Sequence, residues 1–173
     1  MQKQGMFFSV LLLIVLVLGF LIYFKTDSRN NSRTGKGSEN PVQVQVSGKI
    51  DFKTHDAGIK LVKSLNKKAF VFFHADWCKY CKDMEKGAFL NAQVIKYLND
   101  NFISIEVDTD VEEETSSKYK IKGLPQLYFL EEDGSPIRYR PGFVDTEELF
   151  QLLKYINTDS YKKMAFRDFV NQN

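Results

Sequence analysis

The hydrophobic positions of this chain change rhythm along its length. From Met6 to Phe24 the sequence MFFSVLLLIVLVLGFLIYF is uncharged and apolar on every side. A helix there reaches roughly 28 Å, close to the ~30 Å hydrocarbon core of a bilayer. Phe20, Tyr23 and Phe24 gather at one end, where aromatic side chains suit the membrane interface. A buried helix of a soluble domain would show a polar face. A cleaved signal peptide would show a shorter apolar run and a small-x-small site, which Lys25-Thr26-Asp27-Ser28 does not supply. Residues 6–24 are therefore expected to be a transmembrane signal-anchor behind a tail of residues 1–5. Residues 25–48 are rich in Ser, Asn, Gly, Lys and Arg and read as a flexible linker. Within it Val42, Val44 and Val46 alternate with Gln43 and Gln45, the pattern of a short edge strand.

Residues 49–173 carry the periodicities of a folded domain. Ala57, Ile59, Leu61, Val62 and Leu65 recur at helical spacing through about Asn66. Ala69-Phe70-Val71-Phe72-Phe73 is a continuous apolar run, as a strand buried on both faces requires, and predicts a strand over 69–74. Helices are predicted over 78–87 and 91–98, the second from Val94, Ile95 and Leu98. A strand follows over 102–107, then a helix over 111–119 whose Glu112-Glu113-Glu114 suits a helix N-terminus. Residues 127–130 and 137–140 form a strand pair around the turn Glu132-Asp133-Gly134-Ser135. An amphipathic helix over 147–156 (Leu149, Phe150, Leu152, Leu153, Ile156) and a short helix over 161–170 close the chain. This order predicts an α/β domain, a central mixed sheet flanked by helices.

Composition narrows the chemistry. Net charge is +2, so nothing points to nucleic acid, while 15 Phe and 8 Tyr supply an aromatic core. The chain has two cysteines, Cys78 and Cys81, in Asp76-Trp77-Cys78-Lys79-Tyr80-Cys81-Lys82. With no others there is no structural disulfide framework, and no lipid-anchoring cysteine follows the apolar run. The pair comes directly after the buried strand and opens a helix. Unpaired N–H groups and the helix dipole at that point favour a thiolate, the nucleophilic form of cysteine. Cys81, one turn on, is placed to attack a mixed disulfide formed by Cys78. Half of a zinc site is the rival, but zinc needs four ligands and only His55, His74 and carboxylates remain. No metal is expected. Lys82 in place of histidine after Cys81 excludes covalent haem attachment.

The segment Phe73 to Lys82, with Glu85-Lys86 and Phe89, then Gly123-Leu124-Pro125, Leu127-Tyr128-Phe129 and Asp133-Gly134, resembles the thioredoxin fold. It is most similar to the C-terminal thioredoxin-like domain of the transmembrane thiol:disulfide interchange reductases. The tail Tyr161 to Phe166 is similar to periplasmic thioredoxins associated with sulfur oxidation. The resemblance covers about 50–170. It implies a thioredoxin fold and a redox-active disulfide Cys78–Cys81 that serves in place of any cofactor. It also implies a cis bond before Pro125, with Leu124 and neighbouring Gly123 lending backbone to a docked substrate strand. A trans proline starting a strand is the alternative. Trp77 would shield the thiols and offer an apolar contact surface. Lys79 and Lys82 would add positive charge near Cys78, or simply be exposed. Thioredoxins carry a buried Asp six residues before the first cysteine, and Phe72 stands there in this chain. Glu85 matches a glutamate of the reductase family and is either the replacement base, directly or through water, or a solvated helix residue. His74 is expected to be packed or at a polar edge, and His55 to face solvent.

The resulting expectation is a membrane-anchored thiol-disulfide oxidoreductase that reduces protein disulfides, drawing electrons from a membrane-embedded partner. An oxidase or isomerase, or a non-catalytic binding module, are the alternatives. The location expected is the bacterial inner membrane with the domain on the periplasmic side. Lys25, Arg29, Arg33 and Lys36 after the apolar run oppose that orientation by the positive-inside rule; a short N-terminal tail before a single anchor is the usual design of an exported domain.

Overall fold

A computed structural model describes residues 48–172. The anchor at 6–24, nearly all of the linker and the alternating Val42–Val46 segment lie outside the described residues. Among the described residues no helix is long and apolar enough to cross a membrane.

The elements in order are α1 (His55–Leu65), β1 (Ala69–His74), α2 (Lys79–Lys86), a 3-10 turn (Ala88–Leu90), α3 (Ala92–Asn101), β2 (Ile103–Asp108), α4 (Glu113–Lys118), β3 (Gln126–Leu130), β4 (Pro136–Pro141), α5 (Thr146–Asn157), a second 3-10 turn (Ser160–Lys162) and α6 (Phe166–Val170). The strands form one four-stranded sheet in the order β2-β1-β3-β4. β1 pairs parallel with β2 (Val71 opposite Ile105) and antiparallel with β3 (Val71 opposite Tyr128). The sheet is therefore mixed, as the element order predicts.

β1 is central, and its side chains point alternately to two covered faces. Phe70 and Phe72 join Phe129, Met84, Leu98, Leu149 and Leu153 in the larger core cluster. Val71 and Phe73 join Val62, Ile105 and Val107 in the smaller one. Each large side chain buried this way contributes about 1.5–3 kcal/mol. α5 buries Leu149, Leu152, Leu153, Tyr155 and Ile156 on one stripe, and Asp145 caps it by accepting a hydrogen bond from Glu148 N. Helix α1 approaches β2 closely at Gly58, where a Cβ would stand 2.3 Å from Ile105 Cγ1.

Three expectations are corrected. His55 does not face solvent: it is 8% exposed, its Nε2 lies 3.2 Å from the Tyr119 hydroxyl, and the two rings meet edge-on. Helix α4 begins at Glu113 rather than Val111, because Asp108 accepts from Asp110 N and turns the chain sharply after β2. Glu112 sits at its N-cap without a side-chain capping bond, and Glu113 and Glu114 occupy its first turn. The C-terminal tail is two short pieces, separated at Lys163–Ala165, since Tyr155 donates a hydrogen bond to the Met164 carbonyl and pins the chain there.

Candidate active site

Strand β1 ends at His74, and the chain crosses Ala75 to Trp77 before α2 begins. His74 is half-buried, stacked on the Phe72 ring. Cys78 is the N-cap of α2. Its backbone N donates to Ala75 O, and its Sγ accepts from Cys81 N at 3.1 Å. A capping residue in extended conformation turns its side-chain acceptor onto the free N–H groups of the first turn. The Cys78 sulfur thus occupies the helix N-terminus inferred from the sequence. Cys78 and Cys81 form a disulfide with Cα atoms 5.3 Å apart. Cys78 is 4% exposed and Cys81 fully buried, in the same cluster as Phe72, Met84 and Val144.

The surroundings are apolar and open. Trp77 is 70% exposed, and its Nε1–H donates to Asp110 Oδ2 at 2.8 Å. The loop carrying Asp110 is itself fixed to β1: Thr109 N and Oγ1 both donate to His74 O. Tyr80 and Phe143 are exposed with ring centroids 6.2 Å apart. The Leu124–Pro125 peptide is cis. Pro125 immediately precedes β3, whose Gln126 pairs with Phe73, so the proline stands alongside the end of β1. Its carbonyl accepts from Gly142 N at 2.8 Å, which ties the loop carrying Phe143 to the proline. Trp77, Gly123 and Leu124 line one hollow of about 370 Å³. A buried disulfide is thus bordered by the exposed rings of Trp77, Tyr80 and Phe143.

The charged candidates divide. Lys79 pairs with Asp83 at 3.3 Å, one turn on, and is 80% exposed, so its charge is shared. Lys82 is exposed and makes no ion pair among the described residues. Glu85 is exposed too and its side chain makes no hydrogen bond among the described residues, while the fully buried Met84 fills that turn of the core beside the cysteines. Phe72, 2% exposed, leaves the position of the usual buried acid wholly apolar. Sequence reasoning missed Asp110 and Phe143. An Asp-x-Asp turn after β2 was the available signal for the first. Phe143 carried none, since only folding brings its loop to α2.

The family model for the thioredoxin-like domain matches residues 56–157. The chain belongs to the thioredoxin-like family. It is 36% identical over 101 residues to a thioredoxin from Mycoplasmoides gallisepticum, a match spanning 58% of this chain and 96% of the relative. It is 28% identical over 121 residues to bovine protein disulfide-isomerase A4, covering 69% of this chain and 17% of that protein. It is 36% identical over 84 residues to the thiol:disulfide interchange protein DsbD of Pseudomonas fluorescens, covering 46% of this chain and 14% of that protein. The fold matches a solution structure of a thioredoxin from Thermus thermophilus, with a TM-score of 0.55 at 20% identity over 61% of this chain and 86% of that one. Thiol:disulfide oxidoreductase activity is the chemistry that the family and the Cys78–Cys81 pair support. Such proteins hold and release the electron pair by cycling their own cysteines between dithiol and disulfide, and need no cofactor.

Proposed function

We propose that this protein is a membrane-tethered reductase of protein disulfides. The observation that carries the reading is Cys78 Sγ at the N-cap of α2, bonded to Cys81 N and bordered by the exposed rim of Trp77, Tyr80 and Phe143. In the reduced protein the Cys78 thiolate attacks one sulfur of a substrate disulfide. That bond breaks, the departing substrate sulfur takes a proton, and a mixed disulfide forms. Cys81 then loses its proton and attacks Cys78 Sγ, releasing the second substrate thiol. Two electrons pass to the substrate, and the Cys78–Cys81 disulfide remains, to be reduced again by a partner dithiol. With Phe72 offering no acceptor, Glu85 takes the Cys81 proton through water. Leu124 and Gly123 hold the substrate backbone beside Pro125. Residues 6–24 anchor the chain in the bacterial inner membrane, with the domain on the periplasmic side and a membrane-embedded electron donor as partner.

Direction follows from how strongly the thiolate is stabilised, since a more stable reduced form makes a stronger oxidant. Asp83 shares the charge of Lys79, which weakens the pull toward oxidation, and the likeness to DsbD agrees. The isomerase relatives favour the second reading, an oxidase or isomerase. Equilibrating the full chain in detergent against thiol buffers decides. A potential near about −270 mV is expected for a reductase; one near about −120 mV would make the protein a disulfide donor. Loss of insulin reduction in Cys78→Ser is expected as well, and retained activity there refutes the assigned nucleophile.

A further inference from the structure

The loop before Pro125 borders a second hollow, of about 620 Å³, running from Gly123 and Leu124 over Tyr128 and Tyr139. A third, of about 420 Å³, continues from it toward Gly134. They share Tyr119, Lys120 and Tyr128, so they form one trough along the α1 side of β3. From Leu124 to Leu130 a strand rises roughly 20 Å, a length that about six residues of extended chain would cover.

The floor of the trough is aromatic. Tyr119 meets Tyr128 edge-on at 5.1 Å, and Tyr128 stacks on Tyr139 at 5.4 Å. Tyr139 is 57% exposed on β4, the edge strand. The walls are basic. Lys63, Lys118, Lys120 and Lys122 line it and make no ion pair among the described residues. Asp133, the carboxylate in the lining, accepts from Ser135 N and offsets the charge of Lys63. The acidic Glu113 lines the hollow beside Trp77, which shares Lys122, Gly123 and Leu124 with the trough.

Resting on the oxidoreductase reading, we infer that this trough selects substrates whose disulfide is flanked by an acidic, partly apolar segment, which lies along β3 as the cysteine reaches Cys78. Lys118, Lys120 and Lys122, without ion pairs among the described residues, surround an aromatic floor and complement a chain alternating carboxylates with apolar side chains. The concave, elongated shape, continuous with the loop at Leu124, suits an extended polypeptide better than a flat lipid surface.

The test uses the full chain in non-ionic detergent and short cysteine-free peptides bearing a neutral fluorophore, one alternating Glu with Leu and the other Lys with Leu. The acidic peptide is expected to bind at least about tenfold tighter, more weakly as salt rises, and about tenfold more weakly to Lys118→Glu/Lys122→Glu. Lys86→Glu/Lys163→Glu, outside the trough, should bind as the parent does. Equal binding of the two peptides, or an unaffected trough variant that circular dichroism shows folded, overturns the inference. Displacement of the acidic peptide by micelles containing phosphatidylglycerol assigns the lysines to lipid and overturns it too. The peptides carry no sulfur, so the binding result stands apart from redox chemistry. Binding as expected beside absent insulin reduction refutes the reductase reading and leaves the trough in place; insulin reduction without peptide preference refutes the trough alone.

Discussion

Replacing Asp110 with Ala removes the hydrogen bond that steadies the Trp77 ring among the described residues, the Nε1–H to Oδ2 contact of 2.8 Å. A hydrogen bond to a charged acceptor contributes about 1.5–3 kcal/mol when sheltered. With Trp77 70% exposed, water competes, and about 1 kcal/mol is the appropriate figure. That energy corresponds to about a fivefold change in the preference of the indole for its position against Asp110. Trp77 is the sole tryptophan of the chain, so fluorescence anisotropy excited beyond the tyrosine absorption band reports this ring alone. The anisotropy is expected to fall in Asp110→Ala. The kcat/KM for insulin should fall with it, by up to about fivefold, because a wandering indole must be ordered as substrate docks. The maximal rate should change little, since the sulfurs are untouched. Asp110→Asn retains an acceptor and should recover part of the loss. The melting temperature should fall by only a few degrees, because the contact is worth about 1 kcal/mol and Asp110 N keeps its bond to Asp108. Unchanged anisotropy would refute the role given to the contact. A loss well beyond about fivefold would show Asp110 acting on the thiols instead.

Two further outcomes follow from the core. Asp159 takes hydrogen bonds first from Lys68, at 2.9 Å, and then from Lys162, which hold its carboxyl down at about 2 from the ordinary 3.8. A depressed folded pKa stabilises above the unfolded value and is lost as pH falls from about 4 toward 2. Asp159→Asn should therefore lose about 1 kcal/mol at pH 7, after allowance for a carboxylate that is 43% exposed. In urea unfolding the gap should close near pH 2, and a gap of constant size would refute the pairing. Gly58→Ala drives a Cβ to 2.3 Å from Ile105 Cγ1, inside a core where Ile105 has no exposed surface to move toward. Overpacking of about 1–3 kcal/mol outweighs the helix propensity gained, at most ~1 kcal/mol. Ile105→Val should relieve part of the loss in the double variant, and strict additivity would place the clash elsewhere.

Much of the molecule was legible as pattern. The unbroken run at 69–73 names a strand buried on both faces, and β1 is that strand, central in the sheet. Two cysteines one turn apart, after such a strand, name a thiol at a helix N-terminus, and Cys78 caps α2. Both are local facts: side-chain periodicity and the free N–H groups of a first turn depend on neighbours along the chain. The rim and the partners of the site depend on neighbours in space. Asp110 reaches Trp77 across 33 positions, and Tyr119 buries His55 across 64. A lone histidine in a helix pattern reads as solvated until the ring that covers it is known. Phe143 reads as a loop residue until Gly142 binds the Pro125 carbonyl. The four lysines of the trough are scattered single charges along the chain, and they become one surface only because α1, α4 and β3 meet there. The sequence alone determined which sulfur caps the helix and which is its partner, because both positions are set within one turn of helix. Tertiary structure decided what surrounds them, because packing joins residues whose separation along the chain carries no periodic signal.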